Sequence, residues 1–172
     1  TVGIVGMGYV GLPLAVAVFD AGFPVIGFDV DEKKIEHLNN GTPYLKHLGS
    51  NFAQDFVDSE RFVGTTDAAF LANADIISLC VPTPLGSHNE PDLTYVLDST
   101  REVAKILRRG QLVVLESTTY PGTTRDEMLP ILEESGLKHG EDPFWKRFTS
   151  KLILKSDATV VPIFFGGSNS RL

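Results

Sequence analysis

The sequence contains a single cysteine, Cys80, among 172 residues. One cysteine cannot form an intramolecular disulfide or a cysteine-rich zinc site, so neither kind of cross-link stabilises the fold. A chain of this kind fits a reducing compartment, and we expect a cytoplasmic location. Cys80 lies in an apolar stretch, where a cysteine usually acts as a small inert hydrophobic side chain rather than as a nucleophile.

Positive charge is also scarce, since 15 Lys and Arg face 22 Asp and Glu and the net charge is −7. A nucleic-acid-binding protein needs a basic surface for phosphates, so no nucleic-acid partner is expected. No apolar run reaches the roughly 20 residues that cross a bilayer, so no membrane partner is expected. The four histidines are dispersed without the spacing of metal ligands, and no metal site is predicted. The chain starts at Thr1 without a charged leader or an initiator methionine, which predicts a fragment or a processed start.

Apolar, β-branched stretches alternate with stretches of helical length, separated by a polar, turn-rich segment at about 41–50. The predicted strands are 1–5, 24–28, 61–65, 74–82 and 111–119. The predicted helices are 12–22, 32–40 with Asp31 as cap, 51–59, 66–73, 92–110, and one from about Gly122. This alternation predicts a single-domain α/β fold with a doubly wound, mostly parallel, Rossmann-like sheet.

Three glycines, Gly6, Gly8 and Gly11, form the pattern GxGxxG between the first predicted strand and the first predicted helix. The first glycine permits a tight turn, the second lets a pyrophosphate approach the backbone, and the third allows close packing of helix on strand. The helix N-terminus then supplies N–H groups to the anion. A tight turn without a ligand is the alternative, but the position between strand and helix favours a dinucleotide site.

A carboxylate, Asp29, follows the second predicted strand. A carboxylate at this position accepts hydrogen bonds from a ribose diol and repels a 2′-phosphate. The alternative is a solvated aspartate without a ligand. Together with the glycine pattern, Asp29 predicts NAD rather than NADP as the cofactor.

A proline-rich turn, VPTP at 81–84, follows the strand predicted over 74–82. The ligand crevice of a doubly wound sheet lies outside the carboxyl ends of its strands. Pro82 and Thr83 therefore become candidate cofactor contacts, with the Thr83 hydroxyl as a donor. A plain rigid exit turn is the alternative reading.

Hydroxyl side chains follow the strand predicted over 111–119 in the segment ESTTYPGTT. Ser117 and Thr118 would face the same crevice, where a hydroxyl can orient a water or bind the nicotinamide amide. The alternative is that Thr119 or Thr123 caps the next helix.

The charge balance of the chain changes near Gly140. Residues 1–140 carry 10 basic and 19 acidic side chains, whereas residues 141–172 carry 5 and 3. We therefore predict an NAD-binding, Rossmann-like domain over 1–142 and an atypical tail over 143–172. Within that tail, residues 151–155 and 158–165 have the composition of strands.

The chain resembles the UDP-glucose/GDP-mannose dehydrogenase family in several separated motifs. The residues that carry the resemblance are GMGYVGLPLA, the strand that ends at Asp29, CVPTP, EPDLTYV and ESTTYPGTT. The resemblance is to the N-terminal NAD-binding domain, extends from Thr1 to about Asp142, and is strongest to the UDP-N-acetylglucosamine 6-dehydrogenase branch.

The resemblance implies an NAD-dependent oxidoreductase that converts carbon 6 of a nucleotide sugar from alcohol to carboxylate with two NAD+ and a thioester on a cysteine. It implies that Asp29 binds the adenosine ribose and that Lys34 supports the adenosine end, where residues alone would predict a solvated lysine. Thr83 and Thr118 match positions on the nicotinamide side, and Thr118 also helps place the hydrolytic water. The remaining implied cofactor contacts are Gly6, Gly8, Tyr9, Val10 and Gly11.

The chain also departs from that family. After GED it continues with PFWKRFTSKLILKS, where the family has an SPE motif, and it lacks the regions that hold the nucleotide-sugar site and the catalytic cysteine. We therefore expect the NAD-binding part of a nucleotide-sugar dehydrogenase that is inactive alone. For the complete enzyme the resemblance implies a homo-oligomer and a UDP-sugar partner, whereas this chain alone could also be a monomer. The alternative function is a non-catalytic NAD-binding or interaction module.

Overall fold

The computed structural model describes residues 1–45, 48–49, 51–86 and 90–139, together with the backbone of residues 162–164. Contacts within the chain divide it into two compact units, Thr1–Val81 and Pro82–Leu172. The predicted boundary at residue 142 and the strand predicted over 151–155 lie outside the described residues. The division into a domain and an atypical tail therefore stays a prediction.

The first unit has a parallel sheet whose strands run in the order β3-β2-β1-β4. Its elements in chain order are β1 (Val2–Val5), α1 (Gly11–Asp20), β2 (Val25–Phe28), α2 (Glu32–Asn39), α3 (Asn51–Val57), β3 (Phe62–Thr65), a 3-10 helix (Ala68–Asn73) and β4 (Ile76–Leu79). Strands that alternate with helices and pair in parallel confirm the predicted α/β class with a mostly parallel, Rossmann-like sheet.

Both faces of β1 are buried, as expected for a strand inside a parallel sheet. Ile4 is fully buried in a core shared with side chains of α1, α2 and α3. On the opposite face, Gly3 leaves room for Leu71 of the 3-10 helix, because a Cβ on Gly3 would lie 2.8 Å from the Leu71 Cδ2. The sheet of the first unit is therefore covered on both sides, which holds the carboxyl ends of β1 and β2 in fixed positions.

The second unit contains elements that match most of the predicted order. They are α4 (Thr94–Ile106), β5 (Leu112–Leu115), a π-helical turn (Thr123–Met128), α5 (Leu129–Glu133) and β6 (Pro162–Phe164). β6 pairs antiparallel with β5, so the strand predicted within 158–165 is confirmed over three residues.

Several predicted elements are shorter in the structure. The strand expected over 74–82 is β4 at Ile76–Leu79, because it pairs with β1 from Val2 to Val5 only. The helix expected from about Gly122 is interrupted as well. Pro130 lies in the first turn of α5, and a proline has no N–H to continue an α-helical ladder. None of the helices in the described ranges combines the length and the apolar character needed to cross a membrane.

Candidate functional site

The loop between β1 and α1, residues 6–11, is here called the glycine turn. Gly6 has φ +95°, in the left-handed region that favours glycine. A Cβ on Gly6 would also lie 2.7 Å from the carbonyl oxygen of Cys80, and a Cβ on Gly11 would overlap the carbonyl oxygen of Gly6. The first and third glycines therefore allow the close backbone approach expected from the sequence.

The second glycine lies on the open side of the same turn. Apart from Gly8 itself and its two chain neighbours, no heavy atom of the described residues lies within 4 Å of a Cβ built on Gly8. Tyr9 and Val10 are 78% and 54% exposed. Helix α1 begins without a side-chain cap and without an acidic residue in its first turn. This side of the turn therefore combines open space with the positive end of a helix dipole, which is where an anion is stabilised.

Met7 holds the opposite side of the glycine turn in place. Its side chain is completely buried in the core of the first unit. Its N–H donates to Asp29 Oδ2 at 2.7 Å, and its carbonyl oxygen accepts from the Tyr44 hydroxyl at 2.6 Å. Met7 is thus fixed through its side chain and both of its backbone polar groups.

Asp29 lies directly after β2 and is only 6% exposed. Its Oδ2 also accepts from Lys34 Nζ at 2.9 Å, and its Oδ1 accepts from the Asp31 N–H at 2.9 Å. The structure therefore brings together three of the sequence-predicted features: the glycine turn, Asp29 and Lys34. It also shows that Asp29 holds the turn itself, a role that the sequence does not reveal.

Tyr44 is the residue of this site that sequence reasoning missed. It lies after α2, in the stretch that the sequence indicates only as polar and turn-rich. Burial, followed by the nearby charges of Asp29 and Asp31, raises the pKa of its phenol. The hydroxyl therefore stays protonated and acts as a donor to Met7. The signal in the sequence is a large aromatic side chain in a turn-rich segment.

The other sequence-predicted site residues lie in the second unit. Pro82 and Thr118 are exposed, whereas Thr83 and Ser117 are half-buried. Ser117 and Thr118 follow the end of β5, as expected. The roles of these four residues stay predictions.

Capping by Thr123 is not observed at the π-helical turn. The N-cap is Gly122, with φ +99° and no side-chain cap. The Thr123 hydroxyl instead donates to the Tyr120 carbonyl oxygen at 2.8 Å.

The thiol of Cys80 lies close to the glycine turn. Cys80 is 7% exposed and its Cβ lies 3.1 Å from the position of a Cβ on Gly11, so the thiol is packed beneath the glycine turn. In the part of the chain that the structure describes, no three His, Cys, Asp or Glu side chains are grouped so as to hold a metal ion.

Comparison with known proteins finds one family over most of the chain. The model of the UDP-glucose/GDP-mannose dehydrogenase family, NAD binding domain, matches residues 1–146. Protein CapL of Staphylococcus aureus is 40% identical over 144 residues, which are 83% of this chain and 33% of CapL. The UDP-N-acetyl-D-glucosamine 6-dehydrogenase of Pseudomonas aeruginosa is 36% identical over 144 residues, with the same two coverages.

A solved structure agrees with these sequence matches. The ternary complex of GDP-mannose dehydrogenase from Pseudomonas aeruginosa superposes with a TM-score of 0.74 and 32% identity, covering 78% of this chain and 32% of that one. The chain spans about a third of the length of the curated relatives it matches.

Proposed function

Because the chain belongs to the UDP-glucose/GDP-mannose dehydrogenase family, as its N-terminal NAD-binding domain, we propose that it serves a nucleotide-sugar 6-dehydrogenase. The reaction proposed for the complete enzyme is oxidation of a UDP-N-acetylhexosamine or UDP-glucose from primary alcohol to carboxylate with two NAD+. The observation that supports NAD as the cofactor is the open glycine turn beside Asp29 and Lys34. The match of the family's NAD-binding domain over residues 1–146 supports it independently.

The residues of the glycine turn fit a dinucleotide. Gly8 leaves the space that a pyrophosphate needs, and the N-terminus of α1 adds the positive end of its helix dipole, which favours negative charge. Tyr9 and Val10 border that space and are exposed. When bound, NAD+ supplies a hydride acceptor, and the role of this turn is to hold its phosphates.

Asp29 and Lys34 are proposed to hold the adenosine end. A carboxylate oxygen accepts two hydrogen bonds, and the described donor to Asp29 Oδ1 is the Asp31 N–H. Oδ1 therefore retains capacity for a ribose hydroxyl, whereas Oδ2 already binds Met7 and Lys34. Discrimination against a 2′-phosphate then comes from Asp29 together with Asp31, because Lys34 offsets part of the Asp29 charge.

The hydroxyl residues of the second unit are proposed to serve the nicotinamide end. Thr83 and Ser117 would contact the cofactor beside Pro82. Thr118, which is exposed at the end of β5, would also place the hydrolytic water. The assignments of Thr83 and Thr118 follow the family motifs, whereas those of Pro82 and Ser117 follow their positions after predicted strands.

We propose that the 172-residue chain does not oxidise a sugar by itself. The reaction of the family needs a cysteine that reaches the sugar, and Cys80, the single cysteine in this sequence, is packed beneath the glycine turn. The buried thiol favours a second candidate for the chain taken alone, a non-catalytic NAD-binding or interaction module. The complete enzyme is proposed to be a cytoplasmic homo-oligomer that binds a UDP-sugar.

The test is calorimetric titration of the purified chain with NAD+ and with NADP+, alongside an assay for NADH formation with UDP-N-acetylglucosamine and UDP-glucose. We expect micromolar to millimolar binding of NAD+, weaker binding of NADP+, and no NADH. The absence of NAD+ binding in a sample shown by circular dichroism to be folded would reject the cofactor assignment. Measurable turnover would reject the proposed inactivity.

Replacing Asp29 tests the ribose assignment. Asp29→Ala leaves the buried Met7 N–H without its acceptor and Lys34 without its ion-pair partner, so we expect a loss of about 3 kcal/mol in stability. Binding of NAD+ should weaken and the preference over NADP+ should shrink, measured by titration at a temperature where the variant is folded. Lys34→Gln is the comparison variant for stability, because it removes the ion pair but keeps the Met7 hydrogen bond. Unchanged affinities of Asp29→Ala for both dinucleotides would contradict the assignment.

A further inference from the structure

The peptide planes on either side of Met7 are each held by a side chain from elsewhere in the first unit. Asp29 accepts from the Met7 N–H at 2.7 Å, and Tyr44 donates to the Met7 carbonyl oxygen at 2.6 Å. In a planar trans peptide, the carbonyl of one residue and the N–H of the next point in opposite directions. Each of these two hydrogen bonds therefore also sets the direction of a group on the far side of its peptide plane.

The Gly6–Met7 peptide shows this coupling. Asp29 holds the Met7 N–H on one side, and the Gly6 carbonyl oxygen points the other way, toward Gly11. This carbonyl oxygen occupies the place that a Cβ on Gly11 would need. The direction of the Gly6 carbonyl is thus set by the Asp29 hydrogen bond at the Met7 N–H and by the close approach of Gly11.

The Met7–Gly8 peptide is held from one side. Tyr44 binds the Met7 carbonyl oxygen, so the Gly8 N–H points away from Tyr44. Gly8 has no side chain, and no described heavy atom lies within 4 Å of its Cβ position. Glycine adopts many backbone conformations at little steric cost, so a glycine at position 8 permits more than one direction of this peptide. The Tyr44 hydroxyl favours the observed direction, and the Gly8 carbonyl oxygen of the next peptide accepts from the Leu12 N–H at 3.1 Å.

We propose that Tyr44 is a positioning residue whose hydroxyl fixes the Met7–Gly8 peptide so that the Gly8 N–H faces a phosphate of the bound dinucleotide. This inference rests on the proposed function, in which the glycine turn binds NAD. Tyr44 acts through the backbone of Met7 and does not itself contact the ligand.

Tyr44 is itself held in position. Its ring packs edge-on against His37, with 6.1 Å between ring centroids. Helix α2, which carries His37, begins at a cap formed by the Asp31 side chain. The segment after α2 thus presents a half-buried, protonated hydroxyl to the glycine turn from a fixed direction.

The test compares the chain with its Tyr44→Phe variant in two ligand titrations. NAD+ contains the pyrophosphate, whereas adenosine lacks it. Loss of one hydrogen bond predicts about 2- to 10-fold weaker binding of NAD+. Adenosine binding should change less than about twofold, because adenosine makes no phosphate contact. Thr100→Val is the matched control, since it removes a buried hydroxyl-to-carbonyl bond of 2.7 Å within α4 and should leave both affinities unchanged.

The Gly8 amide reports the peptide orientation without any ligand. In nitrogen-15 spectra of the ligand-free chain, Tyr44→Phe should shift or broaden the Gly8 resonance, and Thr100→Val should not. An unchanged Gly8 resonance, an unchanged NAD+ affinity, or an equal loss of NAD+ and adenosine binding would each overturn the positioning role. An unfolded Tyr44→Phe variant would do the same, because the hydroxyl would then hold the fold rather than the turn.

The design separates this inference from the proposed function. If the unmodified chain binds no NAD+, the proposed function fails and the phosphate-facing role of Gly8 fails with it. If the unmodified chain binds NAD+ but Tyr44→Phe behaves identically, the proposed function stands and the positioning role alone is rejected.

Discussion

Helices α1 and α2 both follow strands of the same parallel sheet, but their N-termini are completed differently. At α2, the Asp31 side chain accepts from the Lys33 N–H at 3.0 Å, and Glu32 adds a negative charge in the first turn. At α1, Val10 is the N-cap, no side chain caps the helix, and no acidic residue lies in the first turn. One helix end is therefore capped by a carboxylate, whereas the other has neither a side-chain cap nor an acidic side chain in its first turn.

The two helix ends also differ in the space beside them. At α1 the Leu12 N–H donates to the Gly8 carbonyl oxygen at 3.1 Å and Pro13 has no N–H, so these two positions need no side-chain cap. The glycine turn before α1 has no side chain at Gly8 to fill that space. Asp29 lies between the two ends, because it binds the N–H groups of both Met7 and Asp31.

The largest expected loss of stability comes from adding a side chain at Gly11 in the glycine turn. Gly11→Ala places a methyl group on the Gly6 carbonyl oxygen, so we expect a loss of about 3 kcal/mol or more in the free energy of unfolding. Urea denaturation followed by circular dichroism measures it. Gly8→Ala is the matched control, with a stability change within about 0.5 kcal/mol but NAD+ binding at least tenfold weaker. Equal stabilities for the two variants would contradict the roles assigned to these glycines.

A second change makes the end of α1 resemble that of α2. Val10→Asp adds a carboxylate at the N-cap, which should stabilise the helix by about 0.5 kcal/mol through its dipole. The same charge occupies the proposed phosphate region, so NAD+ affinity should fall at least about tenfold in calorimetric titration.

The control for this change adds the same charge elsewhere. Phe23 is exposed beyond the C-terminal end of α1, so Phe23→Asp alters the net charge equally without approaching the turn. Equal losses of NAD+ affinity in the two variants would show that net charge, rather than the open helix end, controls binding.

The smallest expected effect comes from opening the end of α2. Asp31→Ala removes the cap and should cost about 1 kcal/mol, seen as a lower thermal midpoint. NAD+ affinity should change less than about twofold, because NAD+ carries no 2′-phosphate for the Asp31 charge to repel. Asp31→Asn keeps an oxygen acceptor and should retain most of the stability. If Asp31→Ala lost more NAD+ affinity than Gly8→Ala, the end of α2 rather than the end of α1 would be the one that serves the ligand.

Much of this region follows from local sequence patterns. A β-branched stretch, spaced glycines and a run of helical length predict β1, the glycine turn and α1, because each depends on residues close together in the chain. The Asp31 cap of α2 is confirmed for the same reason. The strand expected over 74–82 is shorter, since its length depends on its partner: β1 ends at Val5, where the chain turns at Gly6.

The proposed second-unit contacts show a different limit. Pro82, Thr83, Ser117 and Thr118 follow predicted strand ends, and their placement after strands is a local property. Whether they contact a cofactor depends on the positions of parts of the chain that are distant in sequence, which no local pattern describes. Their roles therefore stay predictions.

The alternation of strands and helices, the position of the glycine turn and the carboxylate after β2 can all be read from local sequence patterns. The contacts that hold the turn are visible only in the folded chain. Met7 is bound by Asp29 and by Tyr44, which lies 37 residues away. The parallel pairing of β1 with β2 places Asp29 beside the turn, and the segment after α2 returns to it with Tyr44. Such contacts depend on the order of strands in the sheet, which hydrophobic spacing along one segment does not encode.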